Sequence, residues 1–341
     1  MSGLSFPFAA PPAPGEIRPI ADGVLWLRLP LPYRLDHVNI YLIEEPGGFA
    51  ALDCGLGNDR SKALWQAALE RLSPRRLTRL IVTHYHPDHV GLAGWLCAEY
   101  GLQLHMPRPE YLFSLALQYA PGDLGADMHR PFYLRHGLDA DTTDIVLSRG
   151  HEYLRRTTGV PTTYHRLQHG DVMRFGARET DVLTGGGHAL EQAMLVDRAN
   201  KLFFAADQVI ARISPNVSVH AMEPDADALG IYLRSLAAIR VAVPDELLVL
   251  PGHGLPFHGL HARIDALTEH HASRCALIAA ACRDAPLSAA ELIPHVFNRE
   301  LDPHQTSFAF GEVLAHVNYM LRGGELNLER GADGIDRYRA A

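Results

Sequence analysis

A chain of 341 residues, 47% hydrophobic and 21% charged, can bury the cores of one large and one small globular domain. Its formal net charge of −8 argues against a general nucleic-acid surface, and no apolar run approaches a membrane span. Residues 1–16 lack the basic segment and apolar core of a signal peptide, and Cys54, Cys97, Cys275 and Cys282 form no CxxC pair, so a soluble cytoplasmic protein with reduced thiols is expected.

Residues 1–14 are rich in Pro and Ala and read as a draped arm. Residues 24–29, 38–43 and 49–52 read as strands, with Glu45-Pro46-Gly47-Gly48 as the turn before the third. The third strand delivers Asp53 to its end. Residues 61–72 carry helical apolar spacing. The run Leu80-Ile81-Val82 is a short buried strand, and residues 90–99 read as a helix.

Between them stand His84, His86, Asp88 and His89, four side chains able to ligate a metal. His84 and His86 alternate as on a strand and share a direction. Asp88 and His89 lie where the chain turns and can face a second point. Each ligand needs its own direction around an ion, so one ion can hardly use all four, whereas two neighbouring ions can.

Residues 106–165 are longer than a sandwich connection needs. They hold two expected helices, 109–119 and 141–156, the second with Asp141 as N-cap. Tyr111, Phe113, Tyr119, Met128, Phe132, Tyr133, Tyr153 and Tyr164 fit a lid or wall for an apolar substrate group. Ordinary helix packing, or the interface of a homodimer, fits them as well. Strand patterning returns at 164–167, 171–175, 179–183, 193–197 and 202–206. Gly185-Gly186-Gly187 lets the backbone pass close to a site before His188. A loop with Arg212, Ser214, Asn216 and His220 leads to a helix at 226–241 and a last strand at 246–250. Beyond Pro256 three helices are expected, at 260–284, from the capping box Ser288…Glu291 to 299, and at 305–322. A hairpin at 326–330 and 335–339 completes the order of a winged helix.

The segment His84-Tyr85-His86-Pro87-Asp88-His89 resembles the signature of the metallo-β-lactamase superfamily. Gly185-Gly186-Gly187-His188, Phe203-Phe204-Ala205-Ala206-Asp207, Pro251-Gly252-His253-Gly254 and Ala51-Leu52-Asp53-Cys54-Gly55 resemble its remaining motifs, in order. The resemblance implies an αββα sandwich over residues 15–255, interrupted by the helical insertion at about 106–165. It also implies a small winged-helix-like domain over 256–341. In that family pattern His84, His86 and His188 hold a first metal, Asp88, His89 and His253 a second, and Asp207 bridges both. Asp53 would hydrogen-bond a ligand imidazole instead of binding metal.

Five imidazoles and two carboxylates suit two Zn²⁺ ions, and iron or manganese fit the same donors. Asp at position 207, where β-lactamase branches carry Cys, matches hydrolases resembling glyoxalase II. The implied reaction is hydrolysis of an acyl-thioester, ester or lactone by a hydroxide shared between the metals, with Asp88 and Asp207 in catalytic roles. Tyr111 and Phe113 would hold the acyl group. Asn216 and His220 would line the pocket, or form a surface loop. Two other activities stand beside this one: a phosphodiesterase or ribonuclease on the same metals, and a nucleic-acid-binding protein using the winged helix. The acidic charge and the lack of a clustered Lys/Arg groove argue against the first, and the complete ligand set against the second, leaving a small-molecule substrate and no membrane partner.

Overall fold

Period-two patterning decides the layers of the first half. The structure is a computed structural model describing residues 3–33, 35–119, 126–148 and 152–341. In chain order the first elements are β1 (Ile17–Ala21), β2 (Val24–Pro30), β3 (His37–Glu45), β4 (Gly48–Leu52), α1 (Asp59–Leu72) and β5 (Arg76–Ile81). Then come α2 (Pro87–Val90), α3 (Ala93–Tyr100), β6 (Gln103–Pro107), α4 (Arg108–Tyr119), α5 (Ala126–Arg135), α6 (Ala140–Leu147) and α7 (Glu152–Arg155). They are followed by β7 (His165–Leu167), β8 (Val172–Phe175), β9 (Arg178–Gly185), β10 (Gln192–Asp197) and β11 (Leu202–Ala206). Last are α8 (Ala228–Ala242), β12 (Leu248–Pro251), α9 (Leu260–Ala281), α10 (Ala289–Val296), α11 (Pro303–Arg322), β13 (Leu326–Arg330) and β14 (Asp336–Ala340).

Two compact units emerge. The first comprises Met1–Ala120, Glu152–Pro215 and Ala238–Ile264. It contains a seven-stranded sheet in the order β1-β2-β3-β4-β5-β6-β7 and a five-stranded sheet in the order β12-β11-β10-β9-β8. On β2 and β3, Val24, Trp26, Tyr41 and Ile43 turn to one face, where they join Val182, Leu195, Phe204 and Leu250 of the second sheet. Leu27, Leu29, Ile40 and Leu42 turn to the other face and pack with Trp65, Ala68 and Leu96 from α1 and α3. That alternation produces the expected helix–sheet–sheet layering of a metallo-β-lactamase fold. Strands β4 and β5 run parallel, as do β11 and β12. Asp53, His84, Asp207 and His253 therefore all lie just past the C-terminal end of a strand.

The second unit comprises Pro121–His151, Asn216–Ala237 and Asp265–Ala341. Three helices and the β13–β14 hairpin stand there in the expected order. The capping box of Ser288 and Glu291 forms as read. The unit is not separated by a single cut at 256: residues of the insertion and of the loop after Asp207 belong to it. Aromatic burial explains this, because Phe132 and Tyr133 pack on Phe310, and His136 Nδ1 lies 2.9 Å from the Tyr338 hydroxyl.

The helix expected at 141–156 is two helices, α6 and α7, and the N-cap is Asp139, whose side chain accepts from Thr142 N at 2.8 Å. Helix α5 was not expected, since Pro131 lies inside it. Among the described residues no helix is long and apolar enough to cross a membrane.

Candidate metal centre

Seven side chains from separated segments converge in the first unit. Ligating atoms of His84, His86 and His188 lie within 4.8 Å of one another. So do those of His84, His89 and Asp207, and those of Asp88, His89 and His253. The three groups overlap through His84 and His89. His253 Nε2 is 3.1 Å from Asp207 Oδ2 and 3.3 Å from Asp88 Oδ2, and His188 Nε2 is 3.5 Å from Asp207 Oδ2.

The imidazoles are aimed by what their outer nitrogens touch. His89 Nδ1 donates to Asp53 Oδ2 at 2.8 Å, and His253 Nδ1 donates to the His37 carbonyl at 2.7 Å. Asp53 also accepts from Thr83 N at 2.8 Å and from the Thr83 hydroxyl at 2.9 Å. With its proton committed to Asp53, Thr83 Oγ1 accepts from His84 Nδ1, 2.9 Å away. Each of these rings thus carries a proton on Nδ1 and turns Nε2 toward the cluster. Asp53 performs this from a strained backbone, φ +65°, and Ala206 beside Asp207 has φ +46°.

Other polar residues brace the loops. Asn39 Nδ2 donates to the carbonyls of Pro251 and Gly254, both at 2.9 Å, and Tyr41 OH donates to Pro251 O at 2.8 Å. Gln192 Oε1 accepts from Asp207 N at 3.2 Å, Gln192 bonds Gln208, and Gln208 Nε2 donates to Gly186 O at 3.1 Å. Glu110, fully buried on α4, accepts from Tyr85 N at 2.9 Å and from Glu191 N at 2.5 Å.

Burial pushes the pKa of His84 and His86 well down, so both are neutral and available as ligands. Burial also opposes charge on His253, but Asp207 and Asp88 outweigh it and hold its pKa up to about 10. The same balance raises His89. Asp207 and Asp88 are held low, since His253 and His89 overcome the cost of burying their charge. Burial raises Glu110 to about 7, against the two amides that favour its charge. Two carboxylates and two charge-seeking imidazoles sharing one buried space ask for positive charge.

The donor set fits divalent metal. Asp207 Oδ1 is buried and has no hydrogen-bond partner among the described residues, an oxygen left over by the protein itself. A Cβ at Gly252 would stand 2.2 Å from that oxygen, so only glycine lets the His253 turn approach the carboxylate so closely.

A sequence model described as the metallo-beta-lactamase superfamily matches residues 33–253. The chain belongs to the metallo-beta-lactamase superfamily. A second model, the metallo-beta-lactamase-like C-terminal domain, matches residues 275–341. Among solved structures, a beta-lactamase domain protein from Burkholderia ambifaria superposes with TM-score 0.91 at 40% identity, covering 99% of this chain and 98% of its own. A metallo-beta-lactamase family protein from Thermus thermophilus gives TM-score 0.78 at 26% identity, covering 94% and 99%. The probable metallo-hydrolase YqjP of Bacillus subtilis is 22% identical over 293 residues, 82% of this chain and 88% of that protein. A hydroxyacylglutathione hydrolase of Bradyrhizobium is 25% identical over 215 residues, 62% of this chain and 61% of that protein. As a member of the superfamily with metallo-hydrolase relatives, the chain is a metal-dependent hydrolase.

Within this metallo-beta-lactamase cluster the fold gathers every side chain expected to bind metal, and Asp53 beside them. The expected substrate residues fare differently. Tyr111 is buried, stacked on Tyr164 at 3.8 Å, with its hydroxyl on Pro161 O at 2.9 Å, so its ring is spent on packing. Phe113 is partly exposed and meets the Tyr85 ring edge at 4.7 Å. Asn216 and His220 fall in the second unit, outside the gathered ligands. Sequence reading missed Asn39, Glu110, Gln192 and Gln208. Only Asn39 carried a signal, a polar residue inside the otherwise apolar run Val38 to Ile43.

Proposed function

We propose that the chain is a two-metal hydrolase of an ester-like carbonyl substrate, with an acyl-thioester as the first choice and esters or lactones beside it. The observation that carries this reading is the run of three overlapping donor groups with Asp207 in the middle one. A single tetrahedral ion cannot use so many donors. His84, His86 and His188 would hold one ion, Asp88, His89 and His253 the other, and Asp207 both. Zinc suits these donors, and iron or manganese are accepted by the same set. When bound, such ions supply positive charge that lowers the pKa of water and polarises a carbonyl.

The chain's own residues divide the remaining work. The Asp88 side chain is 19% exposed against 7% for Asp207. Asp88 is thus placed to orient a water and pass its proton to solvent, while Asp207 stays sealed as the central ligand. Asp53 and the His37 carbonyl keep the ring protons away from the reacting side. Phe113 is the remaining aromatic candidate for an apolar wall. The thioester choice is supported by the Asp at position 207 and by similarity to proteins named hydroxyacylglutathione hydrolase. Three helices and a hairpin support a winged-helix-like second unit in a packing role, and the four buried free cysteines support a cytoplasmic setting.

The test is a hydrolysis panel on the metal-loaded chain: acyl-thioesters, esters, lactones and a bis-phosphodiester. Thioesters should give the highest kcat/KM. A phosphodiester leading the panel would overturn the carbonyl reading.

A further inference from the structure

The donor groups are held by two separate buried carboxylates, and only one of them touches a ligand ring. Asp53 grips His89 and Thr83. Among the described residues, Glu110 bonds main chain alone. Its Oε2 takes the amide of Tyr85, the residue between His84 and His86, and its Oε1 takes the amide of Glu191. Glu191 ends the irregular loop that presents His188 and leads into β10. One carboxylate therefore spans the two loops that carry His84, His86 and His188, and among the described residues it bonds no atom of Asp88, His89 or His253.

We propose that Glu110 is a positioning residue: its carboxylate staples the His84–His86 turn to the His188 loop and so sets the affinity of that trio for metal. The inference rests on the ligand assignment above. Burying a carboxylate is costly, and two amide donors from different loops are the return for it. Regular secondary structure does not secure Tyr85 N, because the backbone there has left β5 and has not yet begun α2. Helix α4 starts at Arg108, so Glu110 lies in its first turn, where the aligned peptide dipoles favour a negative group. Glu110 ties the first helix of the insertion to both loops, and Phe113 on the same helix packs against the Tyr85 ring.

Glu110→Gln is the discriminating change. Its volume is preserved, but one carboxamide oxygen cannot accept from both loops, and its NH₂ would face an N–H. Full-length apo protein is titrated with Co²⁺ and with Zn²⁺ under chelator competition. His86→Ala identifies which equivalent belongs to the trio. Glu110→Gln should weaken that equivalent about 10- to 100-fold, the range for groups that orient ligands, and shift the Co²⁺ absorption. The other equivalent should keep its affinity. Amide exchange on the metal-free chain supplies a readout independent of metal: Tyr85 and Glu191 should lose protection in Glu110→Gln while Thr83, held by Asp53, keeps it. If Glu110→Gln does not fold, Glu110→Asp, too short to span both amides, replaces it. Unchanged affinity together with unchanged exchange overturns the staple. Uniform loss of protection, Thr83 included, also overturns it, showing a merely structural role. An unaltered chain that binds no more than one equivalent refutes the two-metal reading, and the exchange result then judges Glu110 separately.

Discussion

Among the described residues, two buried histidine clusters behave in opposite ways. In the first unit, His89 and His253 sit among carboxylates: Asp207 and Asp88 outweigh burial and raise both imidazoles, and Asp53 adds to the effect on His89. In the second unit, His271 and His316 are equally buried, and His271 Nδ1 lies 3.1 Å from His316 Nε2. There burial lowers His271 to about 2 and His316 to about 4, with His270 and Arg274 adding to the effect. The nearby Glu312 carboxylate is paired with Arg274, and Glu312 offers His316 only its carbonyl, at 2.7 Å. Histidine count therefore says little about metal. Unspent carboxylates beside the imidazoles make a cation site, and their absence makes a neutral, packed pair.

The sharpest way to break this contrast is to remove the central carboxylate. Asp207→Ala should lower kcat/KM at least about 100-fold, beyond the loss seen for groups that merely orient ligands, while the circular dichroism spectrum stays unchanged. Two retained metals and near-normal turnover would mean that Asp207 is not shared between them.

A smaller effect is expected from the residue that aims His89. Asp53→Asn keeps the shape but weakens the grip on Nδ1, and it should cost about 10- to 100-fold in affinity at the Asp88–His89–His253 group. Combined with Glu110→Gln, any departure from additivity should measure coupling through the 83–89 turn, which Asp53 holds at Thr83 and His89 and Glu110 holds at Tyr85. A double variant no worse than either single one would show a single site instead of two halves.

The seven side chains that converge were legible because each lies in a short motif on or just beyond a strand end. The layering was legible for a similar reason, as the alternation in β2 and β3 names both buried faces. The braces were not. Asn39 reaches Pro251 across 212 positions, and Glu110 reaches Glu191 across 81, so neither leaves a local pattern. The division into units was hidden too. Phe132 and Tyr133 look like lid aromatics in sequence, but Phe310 claims them for the second unit. Pro131 concealed α5, since an internal proline ordinarily ends a helix.

The second cluster makes its own prediction about pH. Both histidines have folded pKa values below the ordinary 6.5, so the unfolded chain takes up protons that the folded pair refuses. Stability is full above pH 6.5 and falls as pH drops below about 6.5, down to about 4 for His316 and about 2 for His271, by about 1.4 kcal/mol per imidazole at pH 5.5. Urea unfolding of His271→Leu/His316→Leu at pH 7.5 and 5.5 should show a difference smaller by about 3 kcal/mol than in the unaltered chain. An unchanged difference would mean that the pair does not carry the pH dependence.

The smallest effect concerns Phe113. If its ring walls an acyl pocket, each added CH₂ of a thioester should raise kcat/KM roughly fourfold, from about 0.8 kcal/mol of burial, before levelling off. Phe113→Ala should flatten that slope and leave metal content alone. A flat profile in the unaltered enzyme would return Phe113 to a packing role against Tyr85.

Metal stoichiometry and placement test the contrast most directly. Apo protein loaded with Zn²⁺ and freed of excess should hold two equivalents per chain by elemental analysis, and anomalous scattering from its crystals should place both ions in the first unit. One should lie among His84, His86 and His188, the other among Asp88, His89 and His253, with Asp207 between them and none at His271 and His316. A stoichiometry fixed at one, with Asp88 and His253 unliganded, or an ion held by the second cluster, would contradict it.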